Sequence, residues 1–322
     1  MPPVEQDALI YGPIRVELLT HKVLAQGKFV RLAKMEYRLL CYLILHEGQV
    51  LSRQEILTNI WNLPPNVKTR TLDIEQLQFI VRTADGSSIP SSWAYRIYGW
   101  MMQQLPSETA AWLHEQGVHP LSQYLAYDSL QQATVWTSTF LDQTLAEQVK
   151  PLLNDRTVLE LHGTPLYLEP LYSNTLEGGM QLLLAARNAP VRRAKLRFCT
   201  PCAFKQSGRY AIYPQESLLL QSLVLHWNAA FPDCPLDDPD ALDALLRGTH
   251  IVEYNLHTNA YYLKGTRIPG FVGSAVVDAH LSLPLLEVWN ALLAFAPYGG
   301  IGIKTALGMG GAEVMTLTEK EH

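Results

Sequence analysis

Apolar and polar residues alternate along the first thirty residues, and glycines separate the alternating segments. Alternation with a period of two predicts short, half-buried strands, here over ALIYG, IRVELL and KVLAQGKFVRL. The following segment, AKMEYRLLCYLILHEG, carries its apolar residues at helical spacing and ends at Gly48. It therefore predicts a first helix after the strands.

Two more helices are expected beyond this one. Ser52 and Glu55 form a capping box, in which the serine caps the start of a helix and the glutamate bonds back to it. A third helix is expected over residues 68–76. Small strands followed by three short helices indicate a winged-helix-like domain over residues 1–75.

The rest of the chain repeats another pattern twice. Strand-like segments such as LQFIVRTA, TVWTSTF and RRAKLRFCT are interspersed with helical ones such as SSWAYRIYGWMMQQL, ESLLLQSLVLHWNAAF and PLLEVWNALLAFA. Two rounds of this kind predict two ferredoxin-like units, over residues 76–189 and 190–322. The expected fold class is α+β, with two ferredoxin-like domains in tandem preceded by the small winged-helix-like domain.

Composition narrows the class of protein. A chain of 322 residues is too long for one ordinary domain, and 48% hydrophobic residues suffice for more than one core. No apolar run is long enough to span a bilayer, and the N-terminal segment lacks an apolar signal core. We therefore expect a cytoplasmic protein with no membrane partner. Four cysteines are too few for a disulfide scaffold.

A net charge of −5 argues against a protein that is basic overall, so any nucleic-acid surface must be local. One strand carries such a local group, because residues that alternate along a strand share a face. The candidates for contact with an RNA backbone are Arg192, Arg193, Lys195 and Arg197, with Lys205 and Arg209 extending the group. The alternative is a solvated face without a ligand.

The segment PYGGIGIKTALGMGG, residues 297–311, holds six glycines. It follows a helix and leads into a strand, the reverse of the order in nucleotide-binding loops, so no nucleotide cofactor is expected. Two interpretations remain: a nest of backbone N–H groups for a phosphate, or a tightly packed turn. The residues expected to contact phosphate are Gly299, Gly300, Gly302, Lys304, Gly308, Gly310 and Gly311.

The segment KFVRLAKMEYRLLCYLILHEGQVLSRQEILTNIW, followed by VKTRTLDI, resembles the DNA-binding domain of OmpR-type response regulators. The resemblance covers residues 8–75 and implies that Lys68 and Arg70 contact DNA phosphates. The chain has no receiver domain before this segment and no wing hairpin after it. A degenerate module that contacts a protein is therefore the alternative to one that binds duplex DNA.

Three further segments occur in order: PSETAAWLHEQGVHPLSQY, LRFCTPCAFKQSGRYAIYP, and GFVG with the helix and glycines that follow. Over residues 76–322 they resemble the CRISPR repeat-cleaving endoribonucleases of the RAMP superfamily. The resemblance implies cleavage of CRISPR repeat RNA without a metal, by attack of a ribose 2′-hydroxyl that leaves a cyclic phosphate. Candidate partners are the repeat RNA and other CRISPR effector subunits.

The resemblance also implies the catalytic residues. His114 stands at the position of the family's general acid or base, and histidine suits proton transfer near neutral pH. Tyr98 stands near a tyrosine that some relatives use, with Tyr95 as its rival and a core role as the alternative. His119 stands where some relatives use a lysine, and it would need a proton to supply the same charge. The glycine segment is expected to lie close to His114.

A single C-x-x-C, Cys199 to Cys202, would need Cys234 and His226 to complete a metal site. The resemblance places this segment on an ordinary strand, so we expect no metal and no cofactor. Two other functions remain as alternatives to the endonuclease. One is a non-catalytic subunit that holds repeat RNA, and the other is a transcriptional regulator that uses residues 8–75.

Overall fold

The computed structural model describes residues 4–5, 8–32, 34–47, 49, 60, 73–154, 158–161 and 163–317. The chain divides into two compact units, residues 1–69 and residues 70–322.

The first unit contains an antiparallel sheet in which five strands pair in chain order, followed by helix α1 over Lys34–Leu45. The strands are β1 (Val4–Glu5), β2 (Ala8–Tyr11), β3 (Ile14–Glu17), β4 (Lys22–Ala25) and β5 (Lys28–Val30). Apolar residues from the strands and from α1 form its core: Leu9, Val16, Val23 and Ile44. The predicted strands and first helix are present. The capping box lies outside the described residues, as do Lys68, Arg70 and the first part of the predicted third helix. The end of that helix is wrong, because residues 73–76 begin strand β6 of the second unit.

The second unit begins with a five-stranded antiparallel sheet in the order β7-β8-β6-β10-β9. Its elements are β6 (Asp73–Thr83), α2 (Trp93–Gln104), α3 (Ser107–Glu115), β7 (Leu121–Asp128), β8 (Ala133–Phe140), α4 (Gln143–Asn154), β9 (Val158–Leu161) and β10 (Thr164–Glu177). Without the short edge strand β9, this is the βαββαβ arrangement of a ferredoxin-like domain. The alternating residues of the strands bury a core between the sheet and its helices, which includes Trp136, Phe140 and Ile97.

A second sheet follows in the order β14-β15-β11-β16. Its elements are α5 (Gly178–Asn188), β11 (Arg193–Cys202), the hairpin β12 (Phe204–Gln206) and β13 (Arg209–Ala211), α6 (Glu216–Ala230), α7 (Pro239–Gly248), β14 (Thr249–Leu263), β15 (Thr266–Ala279), α8 (Leu283–Gly299) and β16 (Ala312–Leu317). The sheet repeats the topology of the first one. Its core is rich in aromatic rings, including Trp227, Phe231 and Phe295, which pack edge to face or tilted.

The fold class predicted from the pattern, α+β with two ferredoxin-like halves, is confirmed. No helix in the described ranges combines the length and apolar character needed to cross a bilayer. The segment between α8 and β16, residues 300–311, lies where the two halves meet. Gln76 in the first half, for example, donates a hydrogen bond of 3.2 Å to the carbonyl of Pro297.

Candidate active site

Helix α2 carries Tyr98, and the loop between α3 and β7 carries His119. The Tyr98 hydroxyl and the His119 Nε2 form a hydrogen bond of 2.9 Å, and the two rings meet edge to face with centroids 5.3 Å apart. Tyr98 is only 8% exposed, and its burial, with a smaller effect from Tyr95, raises its pKa above the usual value. Tyr98 therefore keeps its proton at neutral pH, and its ring and hydroxyl are held in one orientation.

His114 lies in the last turn of α3 and is exposed. Burial of His119, and then the charge of His114, lower the pKa of His119 to about 4. His119 is therefore neutral at pH 7, so it lacks the proton that it would need to supply the charge of a lysine. Its Nδ1 is buried without a hydrogen-bond partner among the described residues. Such an orphan polar atom is rare in a core and more common at a functional site.

The neutral state of His119 makes stability depend on pH. The unfolded chain binds a proton at the usual histidine pKa of 6.5, whereas the folded chain binds it only near pH 4. The unfolded state thus holds more protons between these values, so the free energy of unfolding falls as pH falls from 6.5 to 4. The contribution is at most about 3 kcal/mol, and the partial exposure of the ring reduces it.

Urea unfolding at several pH values measures this effect, and His119→Gln should flatten the dependence. It should not remove it, because the buried His226 also has a lowered pKa. An unchanged slope in the glutamine variant would contradict the assignment.

The glycine segment packs against protein rather than lining an open cradle. A Cβ atom at Gly302 would overlap the Ala203 carbonyl oxygen, and one at Gly310 would overlap that of Ile301. One at Gly308 would collide with Tyr261 and Ala94. Gly300, Gly302, Gly308 and Gly310 also have positive φ, where side chains with a Cβ are strained. Glycine is required here by close approach of neighbouring chain segments.

The N–H groups of the glycines from Gly300 to Gly311 are already hydrogen-bonded to protein acceptors. Gly302 donates to the Ser222 hydroxyl at 2.7 Å, and Gly311 donates to the Thr200 hydroxyl at 2.9 Å. The remaining bonds run from Gly300 to Ala296, from Ile301 to Gly310, from Gly308 to Thr305, and from Gly310 to Pro201. Gly299 lies in the last turn of α8, against Phe295. The expectation of a phosphate nest is therefore corrected: these glycines form a packed turn, and Lys304 is the candidate whose side chain is exposed.

A buried glutamine joins this turn to the helix of Tyr98. The Gln123 side-chain amide donates to the carbonyls of Ala94 at 3.0 Å and Ala306 at 2.9 Å, and its oxygen accepts a bond from Trp136. Tyr261 adds a second link, because its hydroxyl donates to the carbonyls of Leu307 and Ser91. Ala94 precedes Tyr98 by one helical turn, so the glycine segment and the Tyr98–His119 pair share one helix.

Sequence reasoning missed Gln123 and Tyr261. The one signal that could have indicated Gln123 is its chemistry: it is a long polar side chain in strand β7, at a position that is fully buried. Of the two candidate tyrosines, Tyr98 contacts His119, whereas the Tyr95 ring lies under the Lys264 ammonium at 5.3 Å.

The basic residues of β11 do share a face, as their alternation predicts, because Ala194, Leu196 and Phe198 between them are buried. Arg193 pairs with Glu253 at 2.8 Å and with Asp278 at 3.3 Å, and Arg197 pairs with Glu313 at 2.9 Å. Acidic neighbours thus reduce the positive charge of this face.

The other two cations of the group differ in their surroundings. Arg192 donates to two backbone carbonyls, those of Ala279 and Leu281. Lys195 is exposed and has no ion pair within the described part of the chain. Of the four residues expected on this face, Lys195 is therefore the most available to a phosphate.

The residues considered for a metal site are engaged elsewhere. The Cys202 thiol donates to the Ile301 carbonyl at 3.2 Å, and His226 Nδ1 lies 3.1 Å from the Gly300 carbonyl oxygen. Across the described ranges, no group of three or more His, Cys, Asp or Glu side chains could hold one metal ion.

The second unit is thus an α+β protein of two ferredoxin-like halves, which are joined through a glycine-rich turn. Residues 196–312 match the family model described as CRISPR-associated endoribonuclease Cas6. The CRISPR-associated endoribonuclease Cas6 of Streptococcus thermophilus is 29% identical over 224 residues, which are 69% of this chain and 90% of that protein. The resemblance recognised from the sequence is thereby confirmed.

A solved Cas6 product complex shows the shared fold, with a TM-score of 0.62 and 24% identity over 76% of this chain and all of that chain. The first unit is similar to a different family. Residues 27–75 match the model described as transcriptional regulatory protein, C terminal. The phosphate regulon regulator PhoB of Rhizobium meliloti is 36% identical over 73 residues, and the chain covers 32% of that relative. Contact of the first unit with DNA or protein stays a prediction.

Proposed function

We propose that the second unit is an endoribonuclease that cleaves the repeat segments of a CRISPR precursor transcript into guide RNAs. The similarity to Cas6 endoribonucleases over most of this unit supports the substrate class. One observation carries the proposal: Tyr98 and His119 are hydrogen-bonded to each other, the charge of His114 acts on His119, and the helix of Tyr98 is joined to the glycine-rich turn through Gln123.

The proposed reaction needs no metal. The ribose 2′-oxygen attacks the adjacent phosphorus, and the bond from phosphorus to the 5′-oxygen breaks. A base takes the proton of the 2′-hydroxyl, and an acid gives a proton to the departing 5′-oxygen. The products are a 2′,3′-cyclic phosphate and a 5′-hydroxyl, and each proton step is typically worth 10²- to 10⁴-fold in rate.

We assign proton transfer to His114, because it is exposed and therefore accessible to an RNA. Tyr98 is assigned to hydrogen bonding at the phosphate or at the 2′-hydroxyl, since its raised pKa keeps it a donor. His119 is assigned to positioning Tyr98 through the 2.9 Å bond. A neutral His119 leaves the stabilisation of phosphate charge to other groups.

We assign RNA backbone contacts to the exposed lysines, Lys304 beside the turn and Lys195 on β11. Arg193 and Arg197 are added as secondary contacts. The Arg197–Glu313 ion pair is exposed, and such pairs are worth about 0 to 1 kcal/mol, so a phosphate can replace the Glu313 carboxylate. Arg193 also has a less exposed partner, Asp278, which it would keep. The glycines act indirectly, by holding the turn against helix α2.

Cleavage in the presence of a chelator tests the reaction. Wild-type protein should cut repeat RNA from an array adjacent to its gene equally well with EDTA or with Mg²⁺. The 5′ fragment should end in a cyclic phosphate, and a 2′-deoxy nucleotide at the cut position should abolish cleavage. Activity that needs Mg²⁺, or cleavage of the 2′-deoxy substrate, would contradict the mechanism.

A further inference from the structure

A groove of about 480 Å³ lies in the second half of the unit, between the segment that follows β13 and the strand β14. Its walls carry two tyrosines, Tyr213 and Tyr254, which are 59% and 75% exposed. Its floor is apolar and includes Leu256 and the buried ring of Phe271. Neither tyrosine belongs to the constellation of Tyr98, His114 and His119.

The groove is held in shape by contacts on both sides. The Tyr213 hydroxyl accepts a hydrogen bond of 3.0 Å from the Gln215 side chain. The Glu216 carboxylate accepts one of 3.1 Å from the backbone N–H of Ile251, which joins helix α6 to β14. Phe271 is fixed from below by edge-to-face contact with Phe198, at 4.9 Å between centroids. These contacts keep the floor and both walls in place without a ligand.

Polar groups line the groove at positions where they can form hydrogen bonds to the edge of a planar ligand. Glu216 and Thr258 line the groove, and one carboxylate oxygen of Glu216 is engaged with Ile251. Carboxylates accept hydrogen bonds from exocyclic amines, as in contacts to cytosine N4. Adenine and cytosine carry such an amine where guanine and uracil carry a carbonyl oxygen, so adenine and cytosine fit this lining better.

The position of the groove connects it with the candidate active site. Strand β14 carries Tyr254 in the groove and Tyr261 at the glycine-rich turn. The two positions are seven residues apart, roughly 23 Å along a strand. Because an odd separation places the two side chains on opposite faces of the sheet, an unpaired stretch of RNA that joins the active site to the groove would pass around β14, which is the edge strand.

Cationic side chains on the hairpin that precedes the groove in the chain favour a nucleic acid over a protein segment as its ligand. The β12–β13 hairpin that leads into Tyr213 exposes Lys205 and Arg209. Sites for single-stranded nucleic acid combine exposed aromatic rings with cationic side chains. Bases stack on the rings, and the cations contact phosphates.

We propose that the groove between Tyr213 and Tyr254 binds an unpaired adenine or cytosine of the RNA, outside the segment that is cut. The proposal rests on the proposed function, because it takes RNA as the substrate. It adds a second contact that favours RNAs with a single-stranded flank over a bare hairpin.

Binding of fluorescein-labelled octamers of riboadenylate, ribocytidylate and ribouridylate to the full chain tests the groove directly. Tyr213→Ala and Tyr254→Ala should each weaken binding of the adenylate octamer about tenfold. The variant with both Tyr213 and Tyr254 changed to phenylalanine should bind with an affinity within about twofold of that of wild type, because the aromatic rings remain. Tyr127→Ala is the matched control, since Tyr127 is 62% exposed in the first half of the unit. Uridylate should bind more weakly than adenylate or cytidylate.

The variant with both tyrosines changed to alanine is the decisive one. If it binds the octamers as tightly as wild type does, the groove does not bind RNA, and a protein partner would be its expected ligand instead. Uridylate binding as tight as adenylate binding would overturn the base preference. Cleavage of repeat RNA is measured on the same preparations, so the two proposals can fail separately. If wild type does not cut repeat RNA but octamer binding still depends on the two tyrosines, the proposed endonuclease activity is wrong and the proposed RNA-binding groove is supported.

Discussion

His114→Ala is expected to lower the rate of repeat cleavage at least about 100-fold while the affinity for repeat RNA changes less than about twofold. The side chain is exposed at the end of α3 and makes none of the core contacts of the unit, so its removal should not affect folding. A group that transfers a proton contributes to the transition state but little to binding of the ground state. Single-turnover cleavage and equilibrium binding, measured on the same preparation, separate the two.

His280→Ala is the matched control, because His280 is another exposed histidine of the same unit and should leave cleavage unchanged. Added imidazole should restore part of the activity of His114→Ala, since the missing side chain leaves an accessible space. Tyr98→Phe keeps the ring and should cost less, on the order of tenfold in rate.

Cleavage by His114→Ala at the wild-type rate would show that the assignment of His114 is wrong. Wild type that binds repeat RNA tightly but never cuts it would favour the non-catalytic subunit instead. The experiment therefore separates an error in the site from an error in the function.

Gly310→Ala is expected to destabilise the second unit by on the order of 3 kcal/mol or more and to reduce cleavage with it. The residue has φ of +68°, and an added Cβ would overlap the Ile301 carbonyl oxygen. Ile301 and Gly310 are also joined by a backbone hydrogen bond of 2.9 Å, so relieving the overlap would break the turn. The broken turn would lose its contacts with helix α2.

Gly265→Ala separates the two causes of this loss. Gly265 has φ of +77° in the β14–β15 hairpin, and a Cβ there would meet nothing within 4 Å. It should therefore show only the cost of the left-handed backbone, about 1 to 2 kcal/mol. Urea unfolding of both variants measures the difference, and equal losses would mean that close packing around Gly310 contributes little.

Much of the architecture follows from local pattern. Alternation in β11 placed Arg193, Lys195 and Arg197 on one face, and the structure confirms that Ala194 and Leu196 face the core. The repeated order of strands and helices predicted two ferredoxin-like halves, and both sheets have that topology. These features depend on residues close together in the chain, which is why periodicity reveals them.

The role of the glycines did not follow from local pattern. Their number and spacing fit both a phosphate nest and a packed turn, because positive φ and close approach serve either purpose. The acceptors that decide between them, Ser222, Thr200 and Pro201, lie in other elements of the second half. No sequence window around residues 297–311 contains them.

The sequence by itself determined the order of the domains, the resemblance of each part to a known family, and His114, Tyr98 and His119 as the candidate catalytic residues. The tertiary structure decided how those residues behave. It buried His119 and so made it neutral, paired the arginines of β11 with carboxylates, and joined helix α2 to the glycine-rich turn through Gln123. The physical reason is distance along the chain: Gln123 and Ala306 are 183 residues apart, and burial and hydrogen bonding between such residues exist only after folding.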